Sequence, residues 1–132
     1  MIVDASALIT VVLEEPEFET YLESLLRSPA NRMSAATFLE AAIVVDRLPN
    51  PRASVRFDEL ISDLEISIEP VTTQQATIAR DAYRRFGKGS GHPARLNFGD
   101  CFAYALARDF DEPLLIIGED FVHTDVRPVL GG

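Results

Sequence analysis

Met1-Ile2-Val3-Asp4-Ala5-Ser6-Ala7-Leu8 opens the chain, and its reading decides the fold. Ile2–Val3 is apolar without alternation, as expected of a short strand buried on both faces. Asp4 ends that run, and Ser6 can cap a helix reaching about Leu13. A strand is thus followed at once by a helix. The alternation recurs downstream. Pro16 suits the first turn of a helix in which Phe18, Tyr21, Leu22, Leu25 and Leu26 keep an amphipathic spacing. Ser28-Pro29-Ala30-Asn31 breaks it, and Arg32-Met33 reads as a second strand. Ser34 opens a helix to Leu48, apolar nearly all round and so expected at the centre of the fold. A further helix spans Ala53 to Leu64, and Ile66, Ile68 and Val71 suggest a third strand.

Thr72 or Thr73 caps a long helix to Phe86, with Ala76, Ala79, Ala82, Tyr83 and Phe86 inward. Residues 87–93 form a glycine-rich loop. Asn97 is a good cap for a helix from Phe98 to about Arg108. Leu114–Ile117 is a fourth strand, Glu119–Asp125 a loop, and a last strand is expected near Val126. Strands separated by helices predict an α/β fold with a mostly parallel sheet. Functional groups then gather beyond the carboxyl ends of the strands.

The bulk numbers agree with one globular domain over residues 1–132, with 47% hydrophobic and 25% charged residues. No run reaches membrane-spanning length, and the start does not read as a secretion signal. The lone Cys101 fits a reducing cytosol and a place in the core. A net charge of −9 argues against a simple electrostatic nucleic-acid binder. Yet between positions 80 and 95 five cations, Arg80, Arg84, Arg85, Lys88 and Arg95, stand against Asp81 alone. That segment can hold a phosphate backbone; a solvated helix face is the plainer reading.

Four carboxylates interrupt or bound apolar runs: Asp4, Glu40, Asp100 and Asp120. Buried carboxylates need a donor, a cation or a role. Asp4 can cap a helix, or bind a metal. Glu40 has Ala36, Thr37, Ile43 and Val44 at i±3 and i±4, so no cation of its own helix neutralises it. Asp100 can stabilise the start of a helix, and Gly99 beside it implies a close approach of something to the backbone. Asp120 can be a turn residue. Together, four acids on four elements point to a hard cation, Mg²⁺ or Mn²⁺, able to polarise a water for attack on phosphorus. His92 and His123 lack metalloprotease spacing, and the glycine loop lacks the phosphate-loop spacing.

The segments Ile2-Val3-Asp4-Ala5-Ser6, Ser34-Ala35-Ala36-Thr37-Phe38-Leu39-Glu40, Asn97-Phe98-Gly99-Asp100-Cys101-Phe102-Ala103-Tyr104-Ala105 and Leu114-Leu115-Ile116-Ile117-Gly118-Glu119-Asp120-Phe121 closely resemble PIN-domain ribonucleases, specifically the VapC toxins of bacterial toxin–antitoxin pairs. The resemblance covers nearly the whole chain, in the family's order. It implies an α/β/α sandwich and a Mg²⁺-dependent endoribonuclease. It implies metal-site acids at Asp4, Glu40, Asp100 and Asp120, with Ser6 as the hydroxyl beside the first. Many members carry Thr in the last motif, where this chain has Gly118 and Glu119; Glu119 and Asp125 are the alternatives to Asp120. The resemblance further implies a homodimer and inhibition by a VapB antitoxin. Ser6, Arg84, Arg85, Lys88 and Arg95 are the expected RNA contacts. The rival readings are a metal-dependent phosphatase and a non-catalytic PIN-like binding module. The first lacks a well-placed lysine, Lys88 being the only one; the second would be expected to have lost carboxylates.

Overall fold

A computed structural model describes residues 1–118 and 120–129, with Asp120 and Val122 described as backbone only. The elements run β1 (Ile2–Val3), α1 (Ala5–Val12), α2 (Phe18–Arg27), β2 (Arg32–Ser34), α3 (Ala35–Asp46), α4 (Pro51–Asp63), β3 (Ser67–Glu69), α5 (Thr73–Phe86), α6 (Asp100–Phe110) and β4 (Leu114–Leu115). A 3-10 turn follows at Asp120–His123.

All strand pairs are parallel, in the order β3-β2-β1-β4. β1 is therefore interior, with Ile2 beside both Arg32 and Leu114. A strand alternates its side chains between faces, and two cores follow from that. Val3, Met33 and Leu115 face one core with Leu8 and Val11 of α1, Leu25 of α2, Val45 of α3 and Phe57 of α4. Ile2 and Leu114 face the other with Phe86 of α5, Leu96, Tyr104 and Leu106 of α6, and Phe121. The result is an α/β/α sandwich.

Local chemistry sets the boundaries. Asp4, not Ser6, caps α1, because its carboxylate accepts from the Ser6 amide. Pro16 falls before α2, whose cap Glu17 takes a left-handed φ of 71°. Ser34 caps α3 and Thr72 caps α5 as expected. α6 begins at Asp100, later than Phe98, although Asn97 still bonds into its first turn. β4 ends at Leu115, and near Val126 the chain makes an isolated bridge, Leu114 to Pro128, in place of a strand.

α3 is not central. Thr37, Ala41 and Val45 form its buried row, a mostly small-residue stripe that lets the helix approach closely, while Leu39, Ile43 and Val44 are exposed. Apolar residues on every side of a helix do not ensure that every side is covered. On α5, likewise, Ala76 and Tyr83 face outward and Ala82 and Phe86 inward.

At the amino-terminal edge of the sheet, an ionic cluster joins three strands. Glu112, just before β4, accepts from the Met1 ammonium at 2.7 Å and from Arg32 Nε at 2.9 Å. Partial burial alone would raise the Glu112 carboxyl. The bonds from the Met1 ammonium and Arg32 outweigh it and hold the group below its ordinary value. A lowered carboxyl stabilises the fold above its unfolded-state pKa, and that stability is lost as pH falls through the folded-state value. Glu112→Gln is therefore expected to lower Tm at pH 7 by several degrees, from loss of about 1–3 kcal/mol of charge-assisted bonding. The gap to the parent should close as pH drops below the usual glutamate range, in thermal melts taken across an acid series.

Candidate active site

Asp4 sits where β1 stops. Its amide donates to the Leu115 carbonyl at 2.9 Å, which pins the end of β1 to the end of β4. The residue is only 5% exposed. One carboxylate oxygen, Oδ2, accepts from the Ser6 amide at 3.0 Å and from the Ser6 hydroxyl at 2.7 Å. Burial raises the Asp4 carboxyl above its ordinary value; the Ser6 bonds oppose but do not cancel that effect. Ser6 Oγ also accepts from the Ile117 amide at 3.0 Å. Ser6 thus ties the first acid to the segment after β4 and does more than begin a helix. Nothing local in the sequence marks Ile117 as its partner.

Glu40 projects from α3 toward the start of α6. Burial pushes its carboxyl above the ordinary value, and the charges of Asp4 and then Asp100 push it further. Three carboxylates from three elements are therefore within electrostatic reach of one another. The Glu40 carboxylate lies against Gly99, where an added Cβ would collide with Oε2. Gly99 has ordinary helical angles, φ −63° and ψ −39°. Its lack of a side chain makes room for Glu40; no unusual backbone requires it. The sequence signalled a close approach at Gly99, but not what approaches.

Asp100 and Asn97 hold each other. The Asp100 amide donates to Asn97 Oδ1 at 2.9 Å, and the Asn97 amide donates to Asp100 Oδ2 at 3.0 Å. This reciprocal pair is a capping box, here with Asn and Asp in its two roles. It fixes the Asp100 carboxylate at the mouth of α6.

Asp120 starts the 3-10 turn that follows Gly118, and Gly118 takes a φ of 99° there. Its side chain, and all of Glu119, lie outside the described residues. Asp125 is engaged elsewhere: it accepts from the Tyr104 hydroxyl at 2.6 Å and lies 3.8 Å from Arg108. Burial, with the Asp125 carboxylate beside it, pushes the Tyr104 hydroxyl up to about 12.

Among the described residues, no three Asp, Glu, His or Cys side chains close into a complete metal cage. The donors that do gather are carboxylate oxygens with mutually unfavourable charge. That is the ligand chemistry of a hard divalent cation. No Lys or Arg among the described residues forms an ion pair with Asp4 or Glu40.

The expected basic contacts separate into two kinds. Arg85 is occupied: it pairs with Asp81 at 2.9 Å, donates to Tyr104 at 3.1 Å and stacks over Phe86. Arg84, Lys88 and Arg95 are exposed and make no ion pair among the described residues. Arg95 sits in the left-handed region at φ 50°. His92 accepts from the Ala94 amide at 3.1 Å and meets Phe86 edge-on, so it organises its own loop. Cys101 is buried, and burial together with Asp100 raises its thiol to about 11, which leaves it inert as a nucleophile.

Comparison with known proteins places this arrangement. The PIN domain family model matches residues 1–127. Ribonuclease VapC28 of Mycobacterium tuberculosis is 51% identical over 130 residues, covering 98% of each chain. Two solved structures share the fold at low identity. One is M. tuberculosis VapC20, described as a sarcin–ricin loop cleaving toxin, with TM-score 0.73, 19% identity, and 96% and 98% of the two chains covered. The other is a toxin–antitoxin complex from Klebsiella pneumoniae, with TM-score 0.70, 18% identity, and 91% and 88% covered. With the family model spanning the whole sheet and such identity over nearly the full length, the chain belongs to the PIN domain family and, within it, to the VapC ribonucleases.

Proposed function

We propose that this chain is a metal-dependent endoribonuclease, the toxin of a toxin–antitoxin pair, that hydrolyses RNA phosphodiester bonds. The observation that carries the reading is the meeting of Asp4, Glu40 and Asp100 with no cation paired to Asp4 or Glu40 among the described residues. Asp4, Glu40, Asp100 and Asp120 would hold Mg²⁺ or Mn²⁺, which when bound lowers the pKa of a water and neutralises charge on phosphate oxygens. The protein's own work is placement. Ser6 fixes the Asp4 carboxylate, Gly99 leaves room for Glu40, and Asn97 sets Asp100. Arg84, Lys88 and Arg95 supply positive charge for the RNA backbone, with Arg85 already bonded to Asp81 and Tyr104.

Two partners accompany the reading. A VapB antitoxin is the inhibitor, supported by the family and by a structural neighbour solved as a toxin–antitoxin complex. A second copy of the chain is supported by the uncovered aliphatic row Leu39, Ile43 and Val44 on α3. No described helix is long and apolar enough to cross a membrane.

Cleavage of single-stranded RNA should require Mg²⁺ or Mn²⁺ and stop with EDTA. Asp4→Asn should abolish it while circular dichroism stays native; persistence of Mg²⁺-dependent cleavage in that variant would overturn the assignment. Ser6→Ala should lower the rate about 10–100-fold, as loss of a group supporting a metal ligand does.

Mg²⁺ should also raise the Tm of the parent, since an ion bound to the folded state stabilises it. The shift should shrink in Asp4→Asn. Gly99→Ala should leave Tm nearly unchanged, because alanine accepts the helical backbone there. It should nevertheless raise the Mg²⁺ concentration needed for half-maximal cleavage by displacing the Glu40 carboxylate. Equal Mg²⁺ titrations for parent and variant would remove Gly99 from the site.

A further inference from the structure

Asp120 rides on a turn that cannot hold itself in place. Gly118 precedes it at a φ of 99°, and the turn is a single 3-10 stretch, Asp120–His123. Such short stretches have poor internal hydrogen-bond geometry and depend on outside support. The chain is pinned on either side of the turn. The Ile117 amide donates to Ser6 Oγ, and the Leu114 amide donates to the Arg127 carbonyl at 2.8 Å. Between those pins, the bonds from the Thr124 amide and hydroxyl to the Phe121 carbonyl stay within the turn. Phe121, 1% exposed, plugs the turn into the second core. Apolar packing is non-directional, so the plug sets how deep the turn sits and not how it is turned.

Direction comes from Asp125. Among the described residues it is the side chain of positions 120–126 that bonds beyond the turn. Its Oδ1 accepts from the Tyr104 hydroxyl at 2.6 Å, the length of a charge-assisted bond. Tyr104 is a firm anchor: it is 1% exposed, and its ring lies tilted against Phe86. Its hydroxyl accepts from Arg85 Nη2 at 3.1 Å, which leaves its one proton for Asp125. Arg85 is held in turn by Asp81. Tyr104 follows Asp100 by four residues in α6, so the two share a helix face. The face that presents Asp100 therefore also grips the segment that carries Asp120.

We propose that Tyr104 and Asp125 are positioning residues: their bond holds the 120–125 turn against α6 and so brings Asp120 to the metal site beside Asp100. This rests on the ribonuclease reading and its four acids. It gives Asp125 a part in the site without making it a ligand.

The test uses Mn²⁺ as the probe. Its binding to RNA-free protein is followed by loss of the free-ion EPR signal, with Mg²⁺ titrations of cleavage and thermal melts alongside. Tyr104→Phe deletes one oxygen and keeps the ring. It should weaken Mn²⁺ binding about tenfold, as loss of a group supporting a metal ligand does. The Mg²⁺ midpoint for cleavage should rise by the same factor, while the rate at saturating Mg²⁺ stays near that of the parent. Asp125→Ala, at an exposed position, should match it. Asp125→Asn keeps an oxygen that can accept from Tyr104 and should restore most of the affinity. With Asp120→Ala already in place, Tyr104→Phe should weaken binding no further, because the residue it acts through is gone.

Unchanged Mn²⁺ affinity in Tyr104→Phe and Asp125→Ala, with only a lower Tm, overturns the proposal and leaves the bond a role in the fold alone. An Asp125→Asn variant as damaged as Asp125→Ala, beside a Tyr104→Phe variant like the parent, overturns it by making Asp125 a ligand. A full further loss in the Asp120→Ala background overturns it too. Failure of the ribonuclease reading looks different. A parent that binds Mn²⁺ but cuts no RNA removes that reading, and the binding data still decide the positioning. A parent that binds no Mn²⁺ removes both.

Discussion

A carboxylate held almost out of water at the end of the central strand is the constraint on which this molecule turns. Asp4 is 5% exposed, and its burial raises its carboxyl. Isolated ionised groups are not buried for stability. What makes the position tenable is local: the Ser6 amide and hydroxyl both donate to it, and its own amide is anchored on Leu115. The parallel sheet then puts neighbouring elements around that oxygen. Because β1 lies between β2 and β4, whatever follows those strands arrives beside Asp4. α3 follows β2 and carries Glu40. Ile117 follows β4 and bonds Ser6. α6 is the exception, coming in from the second core and bringing Asp100.

Most of the architecture was legible because the elements obey strong local rules. The runs Ile2–Val3 and Leu114–Leu115 are unbroken apolar pairs between helical patterns, and such pairs make parallel strands buried on both faces. Ser34 and Thr72 are side-chain caps, and both cap where expected. The departures have separate physical origins. Apolarity says that a residue gains from being covered, not which neighbour covers it, so the pattern of α3 did not tell that Phe38 packs inward on Phe57 while Leu39, Ile43 and Val44 face outward. Asp4 outcompeted Ser6 as a cap because a carboxylate accepts from backbone amides more strongly than a hydroxyl does.

For the site, residue types were legible and contacts were not. Glu40 stood out because no cation of its own helix neutralises it, and in the structure the charges acting on it are two carboxylates. The glycine before Asp100 announced a close approach, but only the fold names Glu40 as its occupant. The bridge from Ser6 to Ile117 spans 111 positions and has no sequence signature. Asp125 shows the converse. It is an acid in the right stretch of chain, yet its bonds to Tyr104 and Arg108 give it a structural task at the α6 side.

The ionic cluster of Met1, Arg32 and Glu112 and the group of acids around Asp4 occupy opposite poles of the same two- and three-residue strands. One pole is electrically compensated and ties strand beginnings together; the other is left unbalanced at the strand ends. Neutralising an acid at the unbalanced pole does not loosen the latch at the other. The two poles can therefore be altered separately: a change of charge among the acids leaves the Met1–Glu112–Arg32 contacts in place.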